Sequence, residues 1–188
     1  MAQQKYTQAQ QVIDTLRKTG GYATLGDLYH LVDTNIIEIG NMKHFATYVP
    51  AQDQNRKFLE KPLKDICTTI HIPNFSYENL ADRARTVDVI WFNERKMPNS
   101  FFEVEHSTDI QNSVTKFCDL QDFHSRFLIV APQNRKEQFD KVMSRTAFKD
   151  VKHCGGSPKW LEAQSLQGTA RFRYVQRMKQ INSRRMGA

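Results

Sequence analysis

The stretches Val87-Asp88-Val89-Ile90-Trp91-Phe92 and Phe101-Phe102-Glu103-Val104-Glu105-His106 decide how this chain reads. Both are short apolar runs of the kind that form buried strands. Each carries a carboxylate where strand alternation would otherwise put an apolar residue. The connection from Asn93 to Ser100 contains Pro98 and Asn99 and is turn-prone, so the two runs are expected to pair as a hairpin. That hairpin brings Asp88, Glu103 and Glu105 to one end of a sheet. Glu103 and Glu105 are two apart and share a strand face. Adjacent carboxylates repel and resist burial unless a cation neutralises them. A hard divalent cation with oxygen ligands is the natural partner, and Mg2+ typically takes one or two carboxylates. The competing reading makes these acids solvent-facing positions on an antiparallel edge. Against it stand the apolar flanks, the helical pattern that follows Glu105, and a basic chain suited to a polyanionic substrate.

Downstream, Ile110 to Phe123 has helical spacing, with Val114, Phe117, Cys118 and Leu120 to Phe123 on its apolar side. Ser107 or Thr108 is expected to cap it, with Asp109 in its first turn. Lys116 and Gln111 lie on this helix near the acids. Arg126 to Val130 reads as the next strand and Asn134 to Ser144 as the next helix, with Phe139, Val142 and Met143 inward. The alternation predicts an α/β fold with a mixed sheet flanked by helices. Gly155-Gly156-Ser157-Pro158 is a turn, because no lysine-serine pair opens a helix after it.

Upstream, Thr7 to Lys18 is helical in spacing and ends at Gly20-Gly21; Thr24 then caps a second helix carrying Leu25, Leu28, Tyr29, Leu31 and Val32. Two helices about a Gly-containing turn match a helix-turn-helix. Ile36 to Val49 reads as extended, which leaves no evident recognition helix. A packing element bracing the rest of the fold and a DNA-reading module are therefore equal readings. Leu59 to Ile70 reads as helical with Pro62 in its first turn. Residues 1–50 are expected to form a small N-terminal module, 51–170 the core and 171–188 a basic tail. In that tail Arg171, Arg173, Arg177, Lys179, Arg184 and Arg185 interleave with Phe172 and Tyr174. The tail reads equally as a phosphate-tracking segment and as a solvated, frayed helix.

The chain has 188 residues, enough for one domain, and a formal net charge of +7. Its pI of about 9.4 favours contact with phosphate backbones. The cysteines Cys67, Cys118 and Cys154 form no C-x-x-C pair, which argues against zinc and disulfides and for reduced thiols in a cytoplasmic setting. No run is long enough to span a bilayer, and the polar start is unlike a signal peptide. His106 should point away from the face that carries Glu105, and His124 should complement a helix dipole.

The order of Asp88, a hairpin-length gap, Glu103-x-Glu105, a helix and another strand resembles the PD-(D/E)xK restriction-endonuclease-like nuclease superfamily. VDVIWF, FFEVEHSTDI, KFCDLQDF and FLIVAP, between Asp88 and Pro132, carry the resemblance to its restriction-enzyme-type branch. GGYATLGDLYHLV looks like the opening of winged-helix modules attached to some restriction enzymes. The resemblance implies that Asp88, Glu103 and Glu105, with the Val104 carbonyl, hold Mg2+, with Mn2+ as a substitute. Glu105 stands where many members carry lysine, and Lys116 on the following helix is the candidate replacement; a solvated surface lysine is the competing reading. An acid on a preceding helix can add a metal contact, and Glu60 is the candidate; a first-turn Glu favoured by the helix dipole is the competing and preferred reading. The implied activity is that of a type II restriction enzyme: Mg2+-dependent hydrolysis of double-stranded DNA by a homodimer. A DNA-binding protein with an inactive nuclease-like core, a repair or recombination nuclease, and an interaction protein with a solvated acidic face are the alternatives.

Overall fold

The computed structural model describes residues 25–58, 61–149, 156–163 and 166. The expected first helix, Glu60, Cys154 and the basic tail lie outside them. An 18-residue helix, α1 (Leu25–Met42), opens the described chain. Its buried Val32, Ile36, Ile37 and Ile39 face the sheet, packing with Val89, Trp91, Phe102 and Val130. The extended reading of Ile36 to Val49 is thereby corrected. The helix runs on to Met42, and only β1 (Ala46–Tyr48) is strand. The β-branched run there has strand propensity, but burial of a helical stripe against a sheet overrides it.

Two short strands, β2 (Lys57–Phe58) and β3 (Lys61–Pro62), pair with each other, and a single helical turn follows, α2 (Leu63–Ile66). The long helix expected over Leu59 to Ile70 is thus reduced to one turn that begins after Pro62. Helix α3 (Glu78–Ala84) leads into the hairpin of β4 (Val89–Phe92) and β5 (Pro98–Val104). These strands are antiparallel, as the sequence predicts, with Val89 opposite Phe102 and Ile90 opposite Phe101. Pro98 already belongs to β5, so the connection is shorter than Asn93 to Ser100. The Asn93 side chain shapes it, accepting from the Arg95 and Met97 N–H groups at 3.0 and 3.1 Å.

Helix α4 (Ile110–Asp119) crosses to β6 (Arg126–Ala131), which lies parallel to β5. A 3-10 turn (Gln133–Arg135), α5 (Lys136–Met143) and α6 (Thr146–Lys149) lead on to β7 (Lys159–Glu162), parallel to β6. The sheet order is β1-β4-β5-β6-β7, five strands of mixed direction. Alternation divides the core between the two faces. On the face opposite α1, Ile90, Phe92, Phe101, Phe127 and Ile129 pack with Ile110, Val114 and Phe117 of α4 and Phe139 of α5. The result is a mixed α/β sheet with helices on both sides, compatible with a restriction-endonuclease-like fold. Among the described residues no helix is long and apolar enough to cross a membrane.

The outer side of β1 is bonded within the chain. Thr47 N–H donates to Thr68 Oγ1 at 2.7 Å, and Thr69 N–H donates to the Thr47 carbonyl at 3.1 Å. The Thr47 hydroxyl donates to Asn41 Oδ1 at 2.7 Å, and Asn41 Nδ2 donates to the Ile66 carbonyl at 2.8 Å. These bonds fasten the segment after α2 to the end of α1.

Candidate active site

Glu103 is the penultimate residue of β5, on the face that packs against α4, and Glu105 follows just past the strand end. Both are buried, at 2% and 4% exposure. The edge reading, which put these acids in solvent, fails on that observation. Asp88 stands just ahead of β4 and accepts the Val104 N–H at 2.7 Å. That bond pins the open end of the hairpin and places Asp88 beside the Glu103-Val104-Glu105 segment.

Helix α4 supplies the partners of both glutamates. Its N-cap is Asp109, whose carboxylate accepts the Gln111 N–H at 3.0 Å. Ser107 and Thr108 do not take that place, and Asp109 caps the first turn from outside it. Ser113 and Lys116 are three apart and share one face of α4. Ser113 is almost fully buried and its hydroxyl lies between the acids, 2.9 Å from Glu103 Oε2 and in contact with Glu105 Oε1. Lys116 Nζ donates to both Glu103 oxygens, at 2.9 and 3.0 Å, and to the Thr86 carbonyl at 2.9 Å. Its side chain is only 15% exposed. The surface reading of Lys116 is therefore corrected: the chain places this ammonium on the buried acid of β5.

Glu105 is engaged differently. Its second oxygen accepts from the Thr108 hydroxyl and lies 3.7 Å from Arg135 Nη1. Its backbone N–H donates to the Val130 carbonyl at 2.8 Å, continuing the parallel ladder one step beyond β5. Gln111 is turned to Arg145, which donates to its side-chain oxygen. Partial burial, with Arg135 nearby, lowers the His106 pKa to about 4, so this ring is neutral at ordinary pH.

The electrostatics mark Asp88 and Glu103 as the strained pair. Burial pushes the Glu103 carboxyl up to about 7, against the pull of Lys116 and the Ser113 hydrogen bond. Burial also raises Asp88 well above the usual carboxylate range, and the charges of Glu103 and then Asp33 raise it further. Asp33, on α1, is the acid that sequence reasoning missed. Its only signal was a place on a helix whose inner face could not be assigned before the sheet was known. Arg135 and Ser113 were missed too, because nothing local marks them, and Thr108 was read only as a candidate cap.

A family model for the type II restriction enzyme NmeDI C-terminal domain matches residues 22–186, which include every member of this cluster. The chain belongs to that family. It is also similar to the type II restriction enzyme NmeDI of Neisseria meningitidis serogroup C, at 27% identity over 123 residues. That match takes in 60% of this chain and 35% of the Neisseria protein, so the chain spans well under half of its relative. No solved structure matches the chain.

Mg2+ is the cofactor that the resemblance implies, and this chain offers a donor set that suits it. Asp88, half-buried, and Glu103, buried, give hard oxygen donors, and Asp88 is raised in pKa partly by its neighbour's charge. A divalent cation relieves that repulsion. Among the described residues no three His, Cys, Asp or Glu side chains converge tightly enough to hold a metal ion by themselves. Two carboxylates are nonetheless within what Mg2+ ordinarily takes from protein.

Proposed function

We propose that this chain is a Mg2+-dependent endonuclease that hydrolyses phosphodiester bonds of double-stranded DNA at a specific sequence, as a type II restriction enzyme does. The observation that carries the reading is Lys116 on Glu103. Glu105 stands where much of the superfamily has lysine, and an ammonium from α4 reaches the metal-binding acid instead. Asp88 and Glu103 would hold the cation, with the Val104 carbonyl between the acids as a further oxygen donor, and Glu105 stands beside them. When bound, the cation would supply Lewis-acid polarisation of the phosphate and a water of lowered pKa. Lys116, held by Glu103 and the Thr86 carbonyl, adds positive charge beside the attacked phosphate and orients the nucleophile. The chain's net charge of +7 draws the polyanion to the site. A two-fold symmetric DNA site favours a homodimer.

Digestion of mixed-sequence duplex DNA with Mg2+, followed by sequencing of the ends, tests this. Ends at one short sequence support it. Ends without sequence preference point to a repair or recombination nuclease. Salt-sensitive binding with no cleavage makes the domain an inactive DNA-binding core.

A further inference from the structure

Glu105 is the acid whose role the metal reading leaves open, and its surroundings differ from those of Asp88 and Glu103. One of its oxygens contacts the Ser113 hydroxyl and the other the Thr108 hydroxyl. A guanidinium completes the set: Arg135 Nη1 is 3.7 Å from Oε2, with side chains 12% and 6% exposed. Arg135 comes from a different part of the chain, the turn after β6. Its fork is fixed independently of Glu105, donating to the Thr108 carbonyl and, at 2.9 Å, to Gln138 Oε1. The guanidinium therefore clasps the turn from Glu105 to Thr108 at both ends. The fixed guanidinium beside Oε2 opposes the approach of a second cation to Glu105, whereas the ammonium on Glu103 sits on a flexible stem that can move aside.

We propose that Arg135 is the positioning residue for Glu105, holding this carboxylate beside the metal site and outside the metal's coordination shell. The proposal rests on the nuclease reading and refines it. Asp88 and Glu103 bind the cation, while Glu105 stays an oriented, unligated carboxylate available to the attacking water. The site then carries two protein cations, each matched to one glutamate: Lys116 with Glu103 and Arg135 with Glu105. Loss of the guanidinium would free Glu105 to swing onto the metal and would leave the cluster more negative. Both effects strengthen binding of a divalent cation.

Titration calorimetry of the DNA-free protein with Mn2+ tests this without reference to catalysis. Arg135→Ala should tighten Mn2+ binding by roughly fivefold or more, the scale of an ordinary coupling between sites. Arg135→Lys, which keeps the charge, should stay near wild type. Glu105→Gln alone, which removes a nearby charge but no ligand, should weaken Mn2+ binding by no more than a few-fold, whereas Asp88→Asn should lose it. In the Arg135→Ala/Glu105→Gln double variant the gain should vanish. The proposal is overturned if Glu105→Gln weakens Mn2+ binding as much as Asp88→Asn does, because Glu105 is then a ligand. It is equally overturned if Arg135→Ala leaves the affinity unchanged, or if its gain survives in the double variant. Should Arg135→Ala not fold, Arg135→Lys and Glu105→Gln still decide: Arg135→Lys must bind Mn2+ like wild type, and Glu105→Gln must stay within a few-fold of it. A wild-type chain that binds no Mn2+ refutes the metal-dependent reading and this proposal together. One that binds Mn2+ yet never cuts DNA refutes the nuclease reading alone.

Discussion

The Lys116 ammonium lies 2.9 Å from one oxygen of Glu103 and 3.0 Å from the other, joining the last turn of α4 to the end of β5. Both side chains are largely withdrawn from solvent, so this pair is structural as well as chemical. Removing Lys116 strands the deeper Glu103 carboxylate without its cation, whereas Lys116 without Glu103 keeps the Thr86 carbonyl and some solvent. Lys116→Ala should therefore lower the melting temperature as well as the rate. Single-turnover cleavage should fall by about 10²–10⁴-fold, the range for a general acid-base or orienting group. Adding Glu103→Gln should restore much of the stability and none of the activity. A rate within a few-fold of wild type would remove Lys116 from the chemistry.

Glu103 gives a pH dependence whose sign is fixed by the direction of its shift. Its folded pKa of about 7 lies above the ordinary value of 4.5, so the metal-free native state holds this proton more tightly than the unfolded chain. Native stability from this group is full below about 4.5 and is lost as pH rises through about 7. The isosteric Glu103→Gln has no such loss. In chelator the variant should melt with wild type at pH 4 and above it at pH 8, by on the order of 2 kcal/mol, or about 4–8 °C. With Mg2+ present the order at pH 8 should reverse, because only wild type keeps the full metal site. Melting curves at the two pH values check both halves.

At Gly40 the backbone of α1 lies close against the sheet. A Cβ there would stand 2.6 Å from Thr47 Cγ2 and 2.6 Å from Trp91 Nε1. Trp91 is itself stacked on Phe45 and packed against Phe102, so it has little room to yield. Gly40→Ala gains about 1 kcal/mol of helix propensity and meets an overpacking cost of about 1–3 kcal/mol. Denaturant melts should show net destabilisation. A stabilised variant would mean that α1 can slide on the sheet.

The two chain ends call for truncations chosen with the fold in view. Deleting residues 171–188 removes six basic side chains and no acid. If those side chains bind the DNA backbone, the log-log salt slope of DNA binding should flatten by roughly 0.9 for each phosphate that the shortened chain no longer neutralises. Binding to all sequences should weaken alike. At the other end a cut after residue 35 would remove Leu31 and Val32, which are buried in the core, so the informative cut falls after residue 24. Loss of discrimination between sequences in that variant would identify a base-reading module. Unchanged slope and discrimination in both truncations would put the whole DNA surface on the central sheet and its helices.

What the sequence disclosed follows from how local its signals are. The apolar runs around Asp88 and Glu103 bound a turn-prone stretch, so the hairpin and its acids were legible directly. Lys116 was legible as a candidate through resemblance, but its pairing with Glu103 depends on how α4 lies across β5. Arg135 and Thr108 are 27 residues apart, and no pattern links them until β6 has paired beside β5. The helix α1 was cut short at Ile36 because Ile36, Ile37 and Ile39 carry strand propensity, and only the sheet beneath makes them a helical stripe.

The bonds of Thr68 and Thr69 to Thr47 bear on how two copies of this chain can meet. A three-residue outer strand with a bare ladder would invite another chain to lie alongside it. Here the outward N–H and C=O of its middle residue are already taken from within. A continuous sheet running from one copy into the next is therefore closed off at this border. Two copies arranged about a DNA dyad would meet through helices, loops or the opposite border of the sheet.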